Sequence, residues 1–184
     1  MRIIAGQFRG RALASVGKGD AGAHLRPTTD RVRESLFNVL ANMDVIVGAR
    51  VLDLFAGTGA LGLEALSRGA THVTFVDDGR VAQGLIRKNI GLTGCAAQTD
   101  LIRRDATRLG PCTDAPYDLI FLDPPYGKGL GQKALATVIA GGWLAEGALV
   151  VWEEAAEMAA PEGVTLAGRR KYGDTHVTLL ERQG

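Results

Sequence analysis

From residue 49 onward the sequence alternates between short apolar runs and helical stretches, and most of the apolar runs stop at a glycine or an aspartate. Arg50-Val51-Leu52-Asp53-Leu54-Phe55 reads as a buried strand ending in Ala56-Gly57-Thr58-Gly59, followed by a helix through residues 60–66. Val73-Thr74-Phe75-Val76 is a second strand ending at Asp77-Asp78, and residues 80–92 make another helix. Residues 100–104 form a third strand ending at Asp105. Residues 117–122 form a fourth, stopped by Asp123-Pro124-Pro125-Tyr126, and residues 148–152 a fifth. Residues 164–171 and 175–180 pair antiparallel around Tyr172-Gly173-Asp174. Strands that are apolar along their whole length must be covered on both faces, which helices do when they return the chain between parallel strands. The expected fold is therefore α/β, a seven-stranded, mostly parallel sheet with an antiparallel last strand. Ligands of such sheets bind outside the carboxyl ends of the strands, where Asp53, Gly57, Gly59, Asp77, Asp105 and Asp123 collect.

The first part of the chain differs. Residues 1–33 carry seven basic side chains against Asp20 and Asp30, whereas the whole chain has a net charge of only +1. A polarised chain of this kind can hold a polyanion with one face, although a solvated arm has the same composition. Ile3, Ile4 and Phe8 fit a strand or hairpin, and the glycines and serine between 15 and 23 mark a loop. Thr29 or Asp30 can cap a helix whose apolar face is Val32, Leu36, Val39, Leu40 and Met43, with Arg31 and Glu34 on the other side. The chain thus divides into a basic extension and helix, 1–47, and an α/β domain, 48–184.

Several classes are excluded at this level. No apolar run approaches the ~20 residues of a membrane span, and the N-terminal apolar stretch is too short for a signal peptide. Cys95 and Cys112 fit no zinc spacing, and His24, His72 and His176 are scattered, so no metal is expected. A cytoplasmic location follows. No Ser-His-Asp or Cys-His arrangement is apparent.

The strand ends point to a cofactor. Gly57-Thr58-Gly59-Ala60-Leu61-Gly62 matches the G-x-G-x-x-G dinucleotide pattern, a turn that serves several nucleotide-like ligands. Asp77 can hold both ribose hydroxyls, or can serve a helix N-terminus together with Asp78. Asp53 discriminates further. A carboxylate against the turn repels a pyrophosphate but welcomes a cationic amino-acid moiety, which favours S-adenosylmethionine over NAD; Asp53 can alternatively cap the loop. Asp123-Pro124-Pro125-Tyr126 suits methylation of an exocyclic amine. Asp123 and the Pro124 carbonyl can accept from both N–H protons, drawing the nitrogen toward sp³ geometry. Tyr126 can stack on the base, a contact worth roughly 1–3 kcal/mol.

These two motifs resemble those of class I S-adenosylmethionine-dependent amino-methyltransferases. The flanks Arg2-Ile3-Ile4-Ala5-Gly6-Gln7-Phe8-Arg9-Gly10-Arg11 and Arg26-Pro27-Thr28-Thr29-Asp30-Arg31-Val32-Arg33-Glu34, with Lys171-Tyr172-Gly173-Asp174-Thr175, resemble the bacterial RsmD-type guanine-N2 methyltransferases of small-subunit ribosomal RNA. The resemblance implies a Rossmann-like methyltransferase domain over 48–184 and methyl transfer to the N2 amine of a guanine in 16S rRNA, in the small subunit or an assembly intermediate, leaving S-adenosylhomocysteine. By position, Asp53, Phe55, Gly57, Thr58 and Gly59 would line the methionine part of the cofactor and Asp77 or Asp78 the ribose. Asp105 and Ala106 would meet the adenine, and Asp123, Pro124, Pro125 and Tyr126 the target base. The family tends to have glutamate where this chain has Asp77-Asp78, so either aspartate could reach the ribose. Arg9, Arg11, Arg26 and Arg31 are expected to grip phosphates, in a monomer. The competing readings are a DNA adenine-N6 or cytosine-N4 methyltransferase, an NAD-dependent oxidoreductase and a non-catalytic RNA-binding assembly factor.

Overall fold

A computed structural model describes residues 1–16 and 28–184. Strands β1 (Arg50–Leu54), β2 (His72–Val76), β3 (Thr99–Ile102), β4 (Tyr117–Leu122), β5 (Leu144–Glu154), β6 (Thr165–Tyr172) and β7 (Thr175–Glu181) join in one sheet. The helices are α1 (Asp30–Asn42), α2 (Ala60–Ser67), α3 (Arg80–Thr93) and α4 (Leu130–Ala140). The strand order is β3-β2-β1-β4-β5-β7-β6. The pairs from β3 to β5 are parallel, and β7 is antiparallel to both its neighbours. This is the expected α/β architecture. The chain moves outward from β1 to β3 and then restarts on the other side at β4. Leu54 pairs with both Val76 and Leu122, so the switch point opens between the carboxyl ends of β1 and β4.

Alternation along the strands splits the core into two layers. Val51, Phe75, Phe121, Val151 and Leu179 pack with Leu36, Phe37 and Leu40 of α1, Leu63 and Leu66 of α2 and Ile86 of α3. Leu52, Leu54, Ile120, Leu122, Val150 and Leu180 face Ala134, Leu135 and Val138 of α4. α2, apolar nearly all round, is buried at every position, as such a helix must be. No helix among the described residues is long and apolar enough to cross a membrane.

Three boundaries and faces differ from the sequence expectation. β3 stops at Ile102 instead of 104, because Asp105 accepts the Thr107 N–H at 2.8 Å and caps a short 3-10 turn, Ala106–Arg108. β5 runs well past 148–152 at both ends; β7 pairs with its last residues, matching Glu153 with Val177 and Glu154 with His176. The Thr29 hydroxyl caps α1 by accepting from Val32 N–H at 3.3 Å. The buried stripe of α1 is Arg33, Leu36, Phe37 and Leu40; Val32 and Val39 are only half-buried, and Met43 is 38% exposed. Phe37 wins the inward place by meeting Phe121 at a centroid distance of 5.6 Å. Arg33 can be interior because Asp30 (2.5 Å) and Glu64 (3.9 Å) neutralise it and the Arg2 carbonyl accepts from it at 2.7 Å.

The first residues are built into the same core. Ile3 and Leu13 are buried, and Arg2 and Ala12 bridge antiparallel. The carboxylate of Glu64, itself fully buried on α2, accepts the N–H groups of Ile4 (2.8 Å) and Ala5 (3.1 Å). Ser67 accepts from Phe8 N–H and donates to the Ala5 carbonyl.

Candidate functional site

β1 ends in a turn of unusual backbone. Phe55 has φ of 56°, and Gly57 and Gly59 have φ of 62° and 81°. For a non-glycine residue such as Phe55 this conformation costs of order 1–3 kcal/mol, and it persists only where the surroundings enforce it. Here the Ala56 N–H is held by the Val76 carbonyl at 3.1 Å, and the Gly59 N–H by the Ala56 carbonyl at 2.8 Å. Gly62 is required by packing: a Cβ there would stand 2.6 Å from Phe75 and 2.7 Å from Val73.

Asp53, only 1% exposed, lies beneath this turn and accepts the Gly62 N–H at 3.0 Å. Burial pushes its carboxyl well above the ordinary carboxylate range; the Gly62 hydrogen bond opposes this, and the charges of Asp77 and Glu153 reinforce it. Asp77 accepts Gly57 N–H (2.9 Å) with one oxygen and Gly79 N–H (2.8 Å) with the other. Partial burial raises its pKa as well, against those two hydrogen bonds. Asp78 is exposed. Asp105, after β3, has its pKa lowered, chiefly by the Thr107 N–H and hydroxyl, and Ala106 next to it is buried. A site in which burial and neighbouring carboxylates both penalise negative charge is one that a cation relieves. Among the described residues no three His, Cys, Asp or Glu side chains gather as a metal site requires.

The loop after β4 faces this turn. Pro124 is buried, while Asp123, Pro125 and Tyr126 are half-buried. The Gly127 N–H donates to Glu154 at 3.2 Å, and the Tyr126 hydroxyl lies 3.4 Å from the Thr175 hydroxyl on β7. Glu153, 2% exposed, accepts from the Thr28 hydroxyl at 3.2 Å.

The strand-end residues expected from the sequence, Asp53 to Gly59, Asp77-Asp78, Asp105-Ala106 and Asp123 to Tyr126, thus come to one edge of the sheet. Arg9, Arg11 and Arg31 are exposed, with the Arg11 guanidinium hydrogen-bonded to the Leu92 carbonyl; Arg26 and the loop from 17 to 23 lie outside the described residues. Sequence reasoning missed four contributors. Asn89, fully buried on α3, donates to the carbonyls of Thr58 (2.9 Å) and Ala14 (3.0 Å) and accepts the Ala14 N–H (2.7 Å), so it joins the N-terminal segment to the glycine turn. Glu153 and Glu154 were legible only as two acids closing the apolar run 148–152. Thr175 lay within a matched string without an assigned role.

A family model described as conserved hypothetical protein 95 matches residues 1–181. The chain is 42% identical over 161 residues to the ribosomal RNA small subunit methyltransferase D of Escherichia coli (strain K12), covering 88% of this chain and 78% of that protein. It superposes on the Escherichia coli protein yhhF, assigned as a methyltransferase, with a TM-score of 0.85 and 39% identity, over 100% of this chain and 98% of the other. SMU.776, assigned as a methyltransferase and solved in complex with SAH, shares the fold at 20% identity and a TM-score of 0.59, over 82% of this chain and 48% of its own.

Proposed function

The chain belongs to the family described as conserved hypothetical protein 95, and from that membership we propose that it transfers a methyl group from S-adenosylmethionine to the exocyclic N2 amine of a guanine in 16S ribosomal RNA. The observation that carries the reading is the register of Leu54 with Leu122. It opens the glycine turn after β1 and the Asp123-Pro124-Pro125-Tyr126 loop after β4 onto one cleft.

The residues present fit the cofactor. Asp53, raised in pKa by burial and by the charges of Asp77 and Glu153, favours a ligand bearing an α-ammonium and a sulfonium and disfavours a pyrophosphate. Phe55, Gly57, Thr58 and Gly59 border the methionine part. Asp77, with both oxygens anchored by Gly57 and Gly79, is pre-oriented toward the ribose, with exposed Asp78 beside it. Asp105 and Ala106 are assigned to the adenine. S-adenosylmethionine, when bound, supplies an electrophilic methyl whose C–S bond breaks as the N–C bond forms, leaving S-adenosylhomocysteine.

Asp123 and the Pro124 carbonyl accept the two N–H bonds of the target amine and aim its lone pair; Asp123 can take the proton that the methylated nitrogen sheds. Tyr126 stacks on the splayed-out base, as RNA loops permit. Catalysis is positioning and hydrogen bonding at the reacting atom. Arg9, Arg11, Arg26 and Arg31 are assigned to phosphates. The substrate is the small subunit or its assembly intermediate, the protein acts as a monomer, and its location is the cytoplasm.

The test is methyl transfer to undermethylated 30S subunits, naked 16S rRNA and plasmid DNA, with nucleoside mass spectrometry of the products. N2-methylguanosine in the ribosomal substrates is expected. Asp123→Ala should lower the rate about 10²–10³-fold with S-adenosylhomocysteine affinity intact. Label in the plasmid alone would make this a DNA amine methyltransferase, and an unchanged Asp123→Ala rate would remove the assigned role.

A further inference from the structure

The loop that carries the target-base residues is rich in proline and glycine. Pro124 and Pro125 fix two φ angles but remove two backbone donors, and the exit through Gly127 and Gly129 has φ of 74° and 71° with nothing within 4 Å of where a Cβ would stand. Two of its contacts come from strands distant in sequence. The Gly127 N–H donates to Glu154 Oε1 at 3.2 Å, and the Tyr126 hydroxyl lies 3.4 Å from Thr175 Oγ1. Both partners come from one place in the sheet. Glu154 is the last residue of β5 and pairs with His176 on β7, whose preceding residue is Thr175.

We propose that Glu154 and Thr175 are positioning residues for the target base: they form a second wall of the cleft that fixes the far end of the Asp123–Gly127 loop and the Tyr126 ring. This rests on the methyltransferase reading above and extends it to residues that touch neither substrate. Glu154 is only 6% exposed, so the acceptor end of its part-buried hydrogen bond with the exposed Gly127 is largely shielded from water. Thr175 enters through the β6–β7 hairpin, which turns at Gly173 with φ of 59°. The string Lys171-Tyr172-Gly173-Asp174-Thr175 thereby acquires a role, delivering a hydroxyl to the edge of an aromatic ring. A base stacked on a ring that can swing loses the alignment of its amine with the methyl donor, although the phosphate contacts that bring the RNA in are untouched. The penalty therefore falls on kcat and spares KM.

Glu154→Ala and Thr175→Val are expected to lower kcat about ten- to a hundredfold. KM for 30S subunits, affinity for S-adenosylhomocysteine by calorimetry and Tm should stay at wild-type values. Glu154→Gln keeps a carbonyl acceptor and Thr175→Ser keeps the hydroxyl, so both should restore kcat. Amide hydrogen exchange supplies a readout independent of turnover: Glu154→Ala should expose the Gly127 amide, and Glu154→Gln should protect it. Wild-type kcat in Glu154→Ala, a loss that Glu154→Gln fails to rescue, or unchanged Gly127 exchange would each overturn the proposal. A wild-type protein that binds S-adenosylhomocysteine yet methylates no ribosomal RNA defeats the parent reading instead, and the exchange comparison still decides whether Glu154 anchors the loop.

Discussion

Asp53 shows how much a single residue's environment decides. Its position before the glycine turn was visible in the sequence, which favoured contact with a cationic ligand and left a cap for the loop as the alternative. The structure gives it the Gly62 N–H and almost no exposure, and its carboxyl is pushed well above the ordinary range, first by burial. The folded protein therefore holds more protons than the unfolded chain between the ordinary carboxylate pKa and the raised one, and stability falls as pH rises through that window. Asp77, also raised by burial, acts in the same direction. Asp53→Asn keeps an acceptor for Gly62 and removes the charge. The ligand-free variant should melt higher at pH 7 with a shallower fall in Tm as pH rises, while S-adenosylhomocysteine binds at least about tenfold more weakly. Differential scanning calorimetry across pH and titration calorimetry check the two halves; tighter or equal binding would show that Asp53 serves the loop alone.

At the scale of elements, α1 marks the limit of periodicity. The sets Val32-Leu36-Val39-Leu40-Met43 and Arg33-Leu36-Phe37-Leu40 share two leucines, and both recur at helical spacing. The Phe121 ring, brought in by β4, and the Glu64 carboxylate, brought in by helix packing, select the second, with Asp30 of α1 itself completing the pairing of Arg33. The start of α1, by contrast, is set locally. The Thr29 hydroxyl takes an N–H that the helix cannot satisfy itself. Thr29→Ala should cost about 1 kcal/mol, roughly 2–4 °C of Tm in a chain of this size, with Thr29→Ser restoring it; thermal melts followed by circular dichroism check both. β3 and β5 follow the same division, since the cap at Asp105 ends one while pairing with β7 extends the other.

Across the whole molecule, the basic N-terminal segment completes the core, and its exposed arginines are proposed to meet phosphates. Deleting residues 2–14 removes Ile3 and Leu13 from the core, and strips the fully buried Glu64 of two N–H donors and Arg33 of a carbonyl acceptor. A loss exceeding about 3 kcal/mol is expected by denaturant unfolding. Arg9→Ala, at an exposed position, should leave the unfolding curve alone and lower the salt slope of rRNA binding by ~0.7; an unchanged slope would remove Arg9 from the phosphate contacts. The sequence by itself determined the α/β order, the glycine turn and the carboxylates that close the strands, because apolar runs, capping residues and glycines act on neighbouring backbone. Through strings of local pattern it also named the residues proposed above for the cofactor and the base. Only the tertiary structure decided that Arg33 and Glu64 would be interior, that Asn89 would tie Ala14 to Thr58, and that Glu154 and Thr175 would reach the loop after β4. Those contacts join residues from 27 to 75 positions apart, and a charge or amide becomes affordable in the interior only once its distant partner has been folded against it.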